Sequence, residues 1–333
     1  MGVALREILT DYKVPVGWDS LSGTAVIDGN NALYQFLTII RQQDGTPLMN
    51  SEGNVTSHLS GLFFRTARFL EYGLRPVYVF DGKPPDLKSS TIAKRRELRD
   101  KAGTAWKEAR EVGDIEESYK QARASTRVDE WVMSSSKELL SKMGIPFVDA
   151  PSEGEAQAAY MVQKGDLDFS VSQDYDSLLF GVPVLVRNLA VSGKRRFRGR
   201  TIVVEPEKLY LSKILEGLDI SRDNLIEMGI LIGTDFNAGI KGIGPKTALK
   251  IVRKNAFLET LEEKAPDFDP MPVIEFFRSP PVTDDYTISW NKPDESAVHE
   301  MLCSVNDFSE ERVNAVLTKM RTTAGQKTLD QWF

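Results

Sequence analysis

Residues 167–180 read LDFSVSQDYDSLLF, an apolar run that ends where Asp174 and Asp176 stand one residue apart. Asp is common in turns, so either acid alone reads as a solvated turn residue. The run before them is short and bounded, and a helical pattern follows, which is the signature of a strand leading into a helix. The succession recurs: TAVID (24–28), RPVYVFDG (75–82), GIPFVDA (144–150) and VPVLVRN (182–188) are further runs of this kind. Stretches such as NALYQFLTIIRQ and GEAQAAYMVQKG between them carry helical spacing, the second closed by Gly165 as a C-cap. Strands alternating with helices predict an α/β fold. Strands apolar on both faces predict a central, mostly parallel sheet flanked by helices.

Acids stand at the ends of the other runs as well. Asp28 follows TAVI, Asp81 follows PVYVF, Glu153 and Glu155 lie just past IPFVDAPS, and Asp235 follows LIEMGILIGT. In open α/β sheets, functional groups collect beyond the carboxyl ends of the strands. Seven carboxylates brought to one rim repel one another unless cations sit among them. With one cysteine, Cys303, and two distant histidines, His58 and His299, a zinc site of the usual nitrogen and sulfur type is not expected. Oxygen ligands suit Mg²⁺, Mn²⁺ or Ca²⁺. Two such ions about 4 Å apart stabilise both the attacking and the leaving oxygen of phosphodiester hydrolysis. Glu153 and Glu155, two residues apart, share no helix face, so both reach such a site only by straddling a helix start.

The chain has 333 residues, 41% hydrophobic and 27% charged, which is ordinary for a soluble globular protein. No apolar run approaches the ~18 residues of a bilayer span, and MGVALREILT lacks the apolar core of a secretory signal. Arg6 stands where a myristoylation motif wants Ser or Thr. A lone cysteine suits a reducing compartment. A cytoplasmic protein is expected, with no membrane partner. The net charge of −6 argues against nucleic acid as a partner only on average, because distribution matters more. Residues 83–127 hold twelve Lys and Arg against eight Asp and Glu and few large apolar residues, so they read as helices projecting from the body. Lys88 and Arg95 are seven apart, two turns on one helix face, and AKRRELR (93–99) extends that stripe. VSGKRRFRGR (191–200) reads as a basic hairpin tip. In GIKGIGPKTALKIV (239–252), Gly242 and Gly244 let backbone amides approach a phosphate at a helix start, with Lys246 and Lys250 beyond. The terminal GQKTLDQWF puts Gln326, Leu329, Trp332 and Phe333 at a spacing that one helical turn makes into an apolar plug for a groove.

Taken together, IDGNNALYQFL, VFDGKPPDLKSSTIAKRR, GIPFVDAPSEGEAQAAY, SQDYDSLLFG, GTDFNAGIKGIGPKTALKI and FSEERV, in that order, resemble the flap endonucleases, structure-specific 5′ nucleases of DNA replication and repair. The resemblance runs along nearly the whole chain, and its size and lack of a long basic tail resemble archaeal members. It implies a PIN-like nuclease domain over 1–325. Within it, 83–127 would form a helical arch and 226–255 a helix–two-turn–helix element, while 326–333 would form a sliding-clamp peptide. It implies that Asp28, Asp81, Glu153, Glu155, Asp174, Asp176 and Asp235 hold two Mg²⁺ ions, with Mn²⁺ able to substitute. Lys88, Arg95 and Tyr34 would serve catalysis. Gly2 (after loss of Met1), Arg41, Gly242, Gly244 and Lys246 would contact DNA, with K⁺ at the two-turn element. Thr56 and Phe308 would form a pocket for a one-nucleotide 3′ flap. The implied enzyme is a monomer that cuts branched DNA near its single-strand junction, in Okazaki fragment maturation and base excision repair, with 5′–3′ exonuclease activity in addition. Gly29 and Gly154 stand where many relatives carry Ala, which is expected to loosen the backbone there. Three other readings compete. A related 5′ exonuclease would share the metals. A phosphatase would use Asp174-x-Asp176, but lacks the downstream Thr such a motif needs. A DNA-binding clamp adaptor would have no use for intact acids.

Overall fold

The computed structural model describes the backbone of residues 2–42, 44–189, 193–197 and 200–330, and the side chains of these outside 190–203 and 322–330. Its centre is a seven-stranded sheet in the order β1-β9-β6-β5-β2-β3-β4. Its strands are β1 (Val14–Pro15), β2 (Gly23–Asp28), β3 (Leu74–Phe80), β4 (Phe147–Asp149), β5 (Phe169–Val171), β6 (Val184–Arg187) and β9 (Glu207–Tyr210). A separate hairpin pairs β7 (Gly193–Phe197) with β8 (Arg200–Val204), where the basic hairpin is expected. Five strands, β6-β5-β2-β3-β4, run parallel. β9 and β1 add an antiparallel edge that the sequence pattern does not reveal, because two short runs rich in Lys, Glu and Pro carry no strand signal.

Alternation along the strands explains why they read as apolar throughout. Val26, Val77, Val79 and Leu185 face one core. Ala25, Ile27, Tyr78, Phe80, Phe169, Val171 and Val186 face the other. The first core is closed by α6 (Gly154–Lys164), α7 (Asp176–Leu179), α8 (Leu211–Leu218), α9 (Arg222–Ile232), α10 (Pro245–Arg253), α11 (Phe257–Lys264) and α12 (Met271–Arg278). The second is closed by α1 (Gly29–Ile39), α2 (Ser57–Glu71), α5 (Glu130–Lys142), α13 (Glu295–His299) and α14 (Glu310–Asp330). Both faces are covered, as a parallel sheet requires. Each fully buried Phe or Leu, such as Phe63 or Leu62, contributes roughly 1.5–3 kcal/mol.

Two pieces stand apart from these layers. α3 (Ser89–Glu111) and α4 (Ile115–Ala124) pack mainly on each other, burying only Ala102, Ala109, Ser118 and Ala122 within their spans. This is the projecting, core-poor segment that the composition of 83–127 predicts. Its return leg rests on the loop after α1, where Ser118 Oγ donates to the Asp44 carbonyl at 3.1 Å. Residues 280–294 have no regular structure and run as a strap across the body. Buried Gln157 holds the strap like a strand neighbour, donating to the Thr283 carbonyl at 2.9 Å and accepting the Thr283 amide at 2.8 Å. Trp290 Nε1 donates to the Pro76 carbonyl at 2.8 Å, under the Arg75 guanidinium.

Gln157→Leu keeps the volume and deletes both bonds. It should cost about 1–3 kcal/mol in a denaturant melt and expose 280–294 to limited proteolysis. A strap as protease-resistant as in the wild type would show that its other contacts, Asp284 with Tyr160 and Lys164, Tyr286 with Asp166 and Trp290 with Pro76, suffice to anchor it.

Candidate active site

All seven predicted acids lie on the rim where the parallel strands end. Asp28 is the last residue of β2 and the N-cap of α1, its Oδ1 accepting the Asn31 amide at 2.9 Å. Asp81 follows β3, and its Oδ1 accepts the Gly154 amide at 2.7 Å, at the start of α6. Glu153 is the N-cap of α6 and Glu155 lies in its first turn, so the two do straddle the helix start. They consequently turn to different partners. Glu153 meets Lys88 Nζ at 2.5 Å, whereas Glu155 accepts from Ser172 Oγ at 2.7 Å and Ser177 Oγ at 3.0 Å. Asp174 and Asp176 flank Tyr175, the N-cap of α7. Asp235 follows α9 and receives Arg95 at 2.5 Å and Lys88 Nζ at 3.5 Å.

The N-terminal segment completes the rim. Val3, Leu5 and Leu9 are buried in the first core and draw residue 2 inward. The Gly2 amide nitrogen donates to Asp174 Oδ1 at 3.1 Å, and the Val3 amide to Asp176 Oδ1 at 2.6 Å. A Cβ on Gly2 would lie 2.8 Å from Asp176 Oδ1 and 2.9 Å from Asp174 Cβ, so only glycine fits there. The expectation that Gly29 and Gly154 loosen the backbone is corrected by the same measure. A Cβ at Gly29 would fall 2.5 Å from the Phe80 ring, and one at Gly154 would fall 2.9 Å from Asp81 Oδ1. Both glycines permit close packing at the acids.

Burial and crowding act together on these carboxyls. Burial, then the charges of Asp81 and Asp174, push Asp28 up to about 8. Burial, with Asp174 and Asp235 nearby, pushes Asp176 up to about 7 against the opposing Val3 bond. Glu155 is held well above the ordinary carboxyl range by burial and by Asp28, Asp176 and Asp174. Asp81 and Glu153 are raised by burial in the same way. Burial works against the Lys88 ammonium, but its contacts with Glu153 and Asp235 outweigh this and raise its pKa. Among the described residues, no three His, Cys, Asp or Glu side chains converge closely enough to ligate one ion in the conformations seen. Lys88 and Arg95 occupy oxygens of Glu153 and Asp235, while amides and hydroxyls occupy those of the other five. The all-oxygen donor set nonetheless has the chemistry of a hard-cation site.

The basic pair converges as expected, by a different local structure. Lys88 does not sit in the helix with Arg95. It ends a short 3-10 turn (Asp86–Lys88) and caps α3, and both cations reach Asp235 from the base of the α3–α4 hairpin. Tyr34, 37% exposed, lies on α1 one turn beyond Asn30 and Asn31, facing outward from the same rim. Arg41 donates to the Leu37 and Gly45 carbonyls at 2.7 Å and to Thr126 Oγ1 at 2.6 Å, tying α1 to the end of α4. Thr56 is buried at the N-cap of α2. Its loop meets the segment before Phe308, Ser51 N donating to Asp307 Oδ2 at 2.5 Å and Asn50 Nδ2 to the Val305 carbonyl at 3.2 Å. Over the span 226–255, expected as a two-turn element, lie most of α9, its loop and α10. In it Gly242 turns with φ +87°, Gly244 is the N-cap with Pro245 at N1, and Lys246 and Lys250 are exposed. Lys246 pairs with Glu7 at 2.6 Å. Gln326 and Leu329 fall within α14, with side chains outside the described set, and Trp332 and Phe333 lie outside the described residues.

Sequence reasoning missed the residues that organise the acids. Asn31 Nδ2 donates to Asp174 Oδ2 at 3.0 Å, and Asn30 Oδ1 accepts the Asp81 amide at 3.0 Å. Ser172 Oγ lies 2.7 Å from Glu155 and 3.2 Å from Asp28, one proton serving both. The adjacent asparagines after Asp28 and the serine before Asp174 were the available signals.

The chain matches the XPG N-terminal domain over residues 1–102 and the XPG I-region over 144–235, which makes it a nuclease of that class. It is 62% identical over 333 residues to the flap endonuclease 1 of Methanosphaerula palustris, covering all of both chains. It resembles the structure of flap endonuclease-1 from Methanococcus jannaschii with a TM-score of 0.77 and 41% identity, over 96% of this chain and 99% of that one. The catalytic core of Rad2 in complex with DNA substrate matches at TM-score 0.70 and 26% identity, over 96% of this chain and 100% of that one. The chain belongs to the flap endonuclease family. It is a structure-specific 5′ flap nuclease, a hydrolase of a family that is generally dependent on divalent metals and acts in Okazaki fragment processing and repair. Among the described residues, no helix is long and apolar enough to cross a membrane.

The raised carboxyls bind protons that the unfolded chain releases at lower pH. Their contribution to stability is therefore full below the ordinary carboxyl range and is lost as pH rises through about 7–8. In EDTA, the melting temperature should fall between about pH 6 and about pH 8.5, and Asp28→Asn should raise it at the upper end by a few degrees. An unchanged or lower melting temperature for Asp28→Asn would mean that the acids are not crowded in the metal-free protein.

Proposed function

We propose that the seven carboxylates hold two Mg²⁺ ions, for which Mn²⁺ can substitute, and that the chain cuts the phosphodiester bond near the junction of a 5′ flap. The observation that carries this reading is the convergence of the seven on one sheet rim, with Asp28 and Asp176 buried, Asp28, Glu155 and Asp176 raised, and no lysine or arginine among the described residues bonded to these three. Two such ions would activate a water and stabilise the departing 3′ oxygen. Lys88 and Arg95, at the foot of the α3–α4 arch, would turn from the acids to the scissile phosphate and offset its charge. Tyr34 would stack near the scissile nucleotide. Gly2, wedged against Asp174 and Asp176, would keep the segment that borders the reacting strand in place.

DNA would be gripped by its shape and phosphates, not its bases. Gly242, Gly244 and Lys246 at the start of α10 would meet the duplex backbone, with K⁺ at the turn. Thr56 and Phe308, brought near one another by the loop contacts at Ser51 and Asn50, would border the pocket for a 3′ nucleotide. Arg41 would act by holding the arch to α1. The likeness to the Rad2 catalytic core, whose structure holds a DNA substrate, supports DNA as the substrate here. Gln326, Leu329, Trp332 and Phe333 would dock in the groove of a sliding clamp, the enzyme itself acting as a monomer in the cytoplasm, at the nucleoid.

A double-flap DNA with a 5′ label should give one product cut at the junction with Mg²⁺ and none with EDTA. Release of mononucleotides instead would move the assignment to an exonuclease. Asp174→Ala should abolish cleavage while DNA binding in a gel shift stays near wild type; full activity would sink the metal-site assignment. Deletion of 326–333 should spare cleavage and remove stimulation by the clamp. Stimulation that survives would count against the peptide.

A further inference from the structure

Asp174 lies in the turn after β5 and Asp176 opens the four-residue α7, so the short turn between them sets their separation. Arg187, the last residue of β6, lies beneath that loop and is largely buried, with its side chain 14% exposed. Its Nε donates to the Gln173 carbonyl at 3.0 Å, and one terminal nitrogen donates to the Tyr175 hydroxyl. The guanidinium carbon stands 4.0 Å from the centroid of the Tyr175 ring, a close cation–π geometry. The same nitrogen meets Glu207 at 2.8 Å, and Glu207 is the residue that faces Arg187 across the β6–β9 ladder. Lys13 holds Glu207 from β1's side at 3.4 Å.

Arg187 thus holds this turn at the Gln173 backbone carbonyl and the Tyr175 side chain, while the carboxylates of Asp174 and Asp176 are bonded by Gly2, Asn31 and Val3 on the rim. A planar fork can bond a carbonyl and a hydroxyl while stacking on a ring, which a lysine cannot. We propose that Arg187, clamped by Glu207 and reading Gln173 and Tyr175, is a positioning residue that sets the spacing of Asp174 and Asp176 for divalent-metal binding. The proposal rests on the reading of those two acids as metal ligands. Partners of ligating groups typically govern affinity by about 10–100-fold.

The test uses the full chain, with Mn²⁺ binding measured by calorimetry without DNA and the Mg²⁺ dependence of flap cleavage measured separately. Arg187→Met should weaken Mn²⁺ binding by at least about tenfold and raise the half-maximal Mg²⁺ concentration in parallel, with cleavage recovering at saturating Mg²⁺. Tyr175→Phe, which deletes one hydroxyl, should shift both in the same direction by a smaller factor. Arg187→Lys should restore little of the Mn²⁺ affinity. A merely structural role would lower the melting temperature or the maximal rate and leave the Mg²⁺ midpoint where it was. If Arg187→Met does not fold, Tyr175→Phe decides. Wild-type Mn²⁺ affinity and Mg²⁺ midpoint in the folded variants would overturn the proposal. Asp174→Ala separates the two claims: if it too keeps wild-type Mn²⁺ binding, the metal-site reading fails, whereas its loss beside an unaffected Arg187→Met defeats the positioning role alone.

Discussion

Mutual repulsion among crowded carboxylates is the constraint to which the rest of this molecule answers. Asp28, Asp81, Glu155, Asp174 and Asp176 share one end of a parallel sheet; Asp28 and Asp176 are buried there, where a charge costs far more than in water. The chain relieves this with short-range devices. Backbone amides of residues 2, 3, 31 and 154 point at carboxylate oxygens, and Ser172 and Ser177 lend hydroxyls. Lys88 and Arg95 come in from the foot of the arch. Each device comes from a different element, so the N-terminal segment, both flanking layers and the α3–α4 hairpin are all tied to one place.

The same constraint accounts for the charge balance. Setting the seven site acids aside leaves 41 Asp and Glu against 42 Lys and Arg, so the rest of the chain is close to balanced and the formal net charge of −6 arises from the site acids. An acidic chain can then still present exposed lysines on α10. Average charge misleads in this chain because its acidic excess is gathered on one rim.

Most of the architecture was legible in the sequence because two-sided burial leaves a two-sided apolar strand. β2 and β3 read well for that reason, and spacing alone shows that Glu153 and Glu155 can share one site only by straddling a helix start. What escaped was long-range. Nothing local marks β1 or β9 as strands, since Val14 and Pro15 pair with Glu207 and Lys208 only after the chain has returned from a distance. A seven-residue count puts Lys88 on the helix with Arg95, yet Pro84 and Pro85 delay the helix so that Lys88 caps it. Asn30, Asn31, Ser172 and Arg187 looked like ordinary polar residues because their roles depend on which acids fold beside them.

The arrangement also separates two jobs that a single residue could not perform. Residues bonded to the acids from within, such as Ser172 and Asn31, are short and fixed, so they set geometry without leaving the site. The residues that neutralise from outside, Lys88 and Arg95, are long, half-exposed at Arg95, and rooted in a hairpin that buries little of itself. A cation on such a segment can exchange one anionic partner for another at small structural cost, because few packing contacts move with it. A core residue in the same position would have to disrupt its neighbours to do so. The acids and these cations are therefore complementary: the sheet keeps the carboxylates in register, and the base of the hairpin supplies the positive charge that pairs with Glu153 and Asp235.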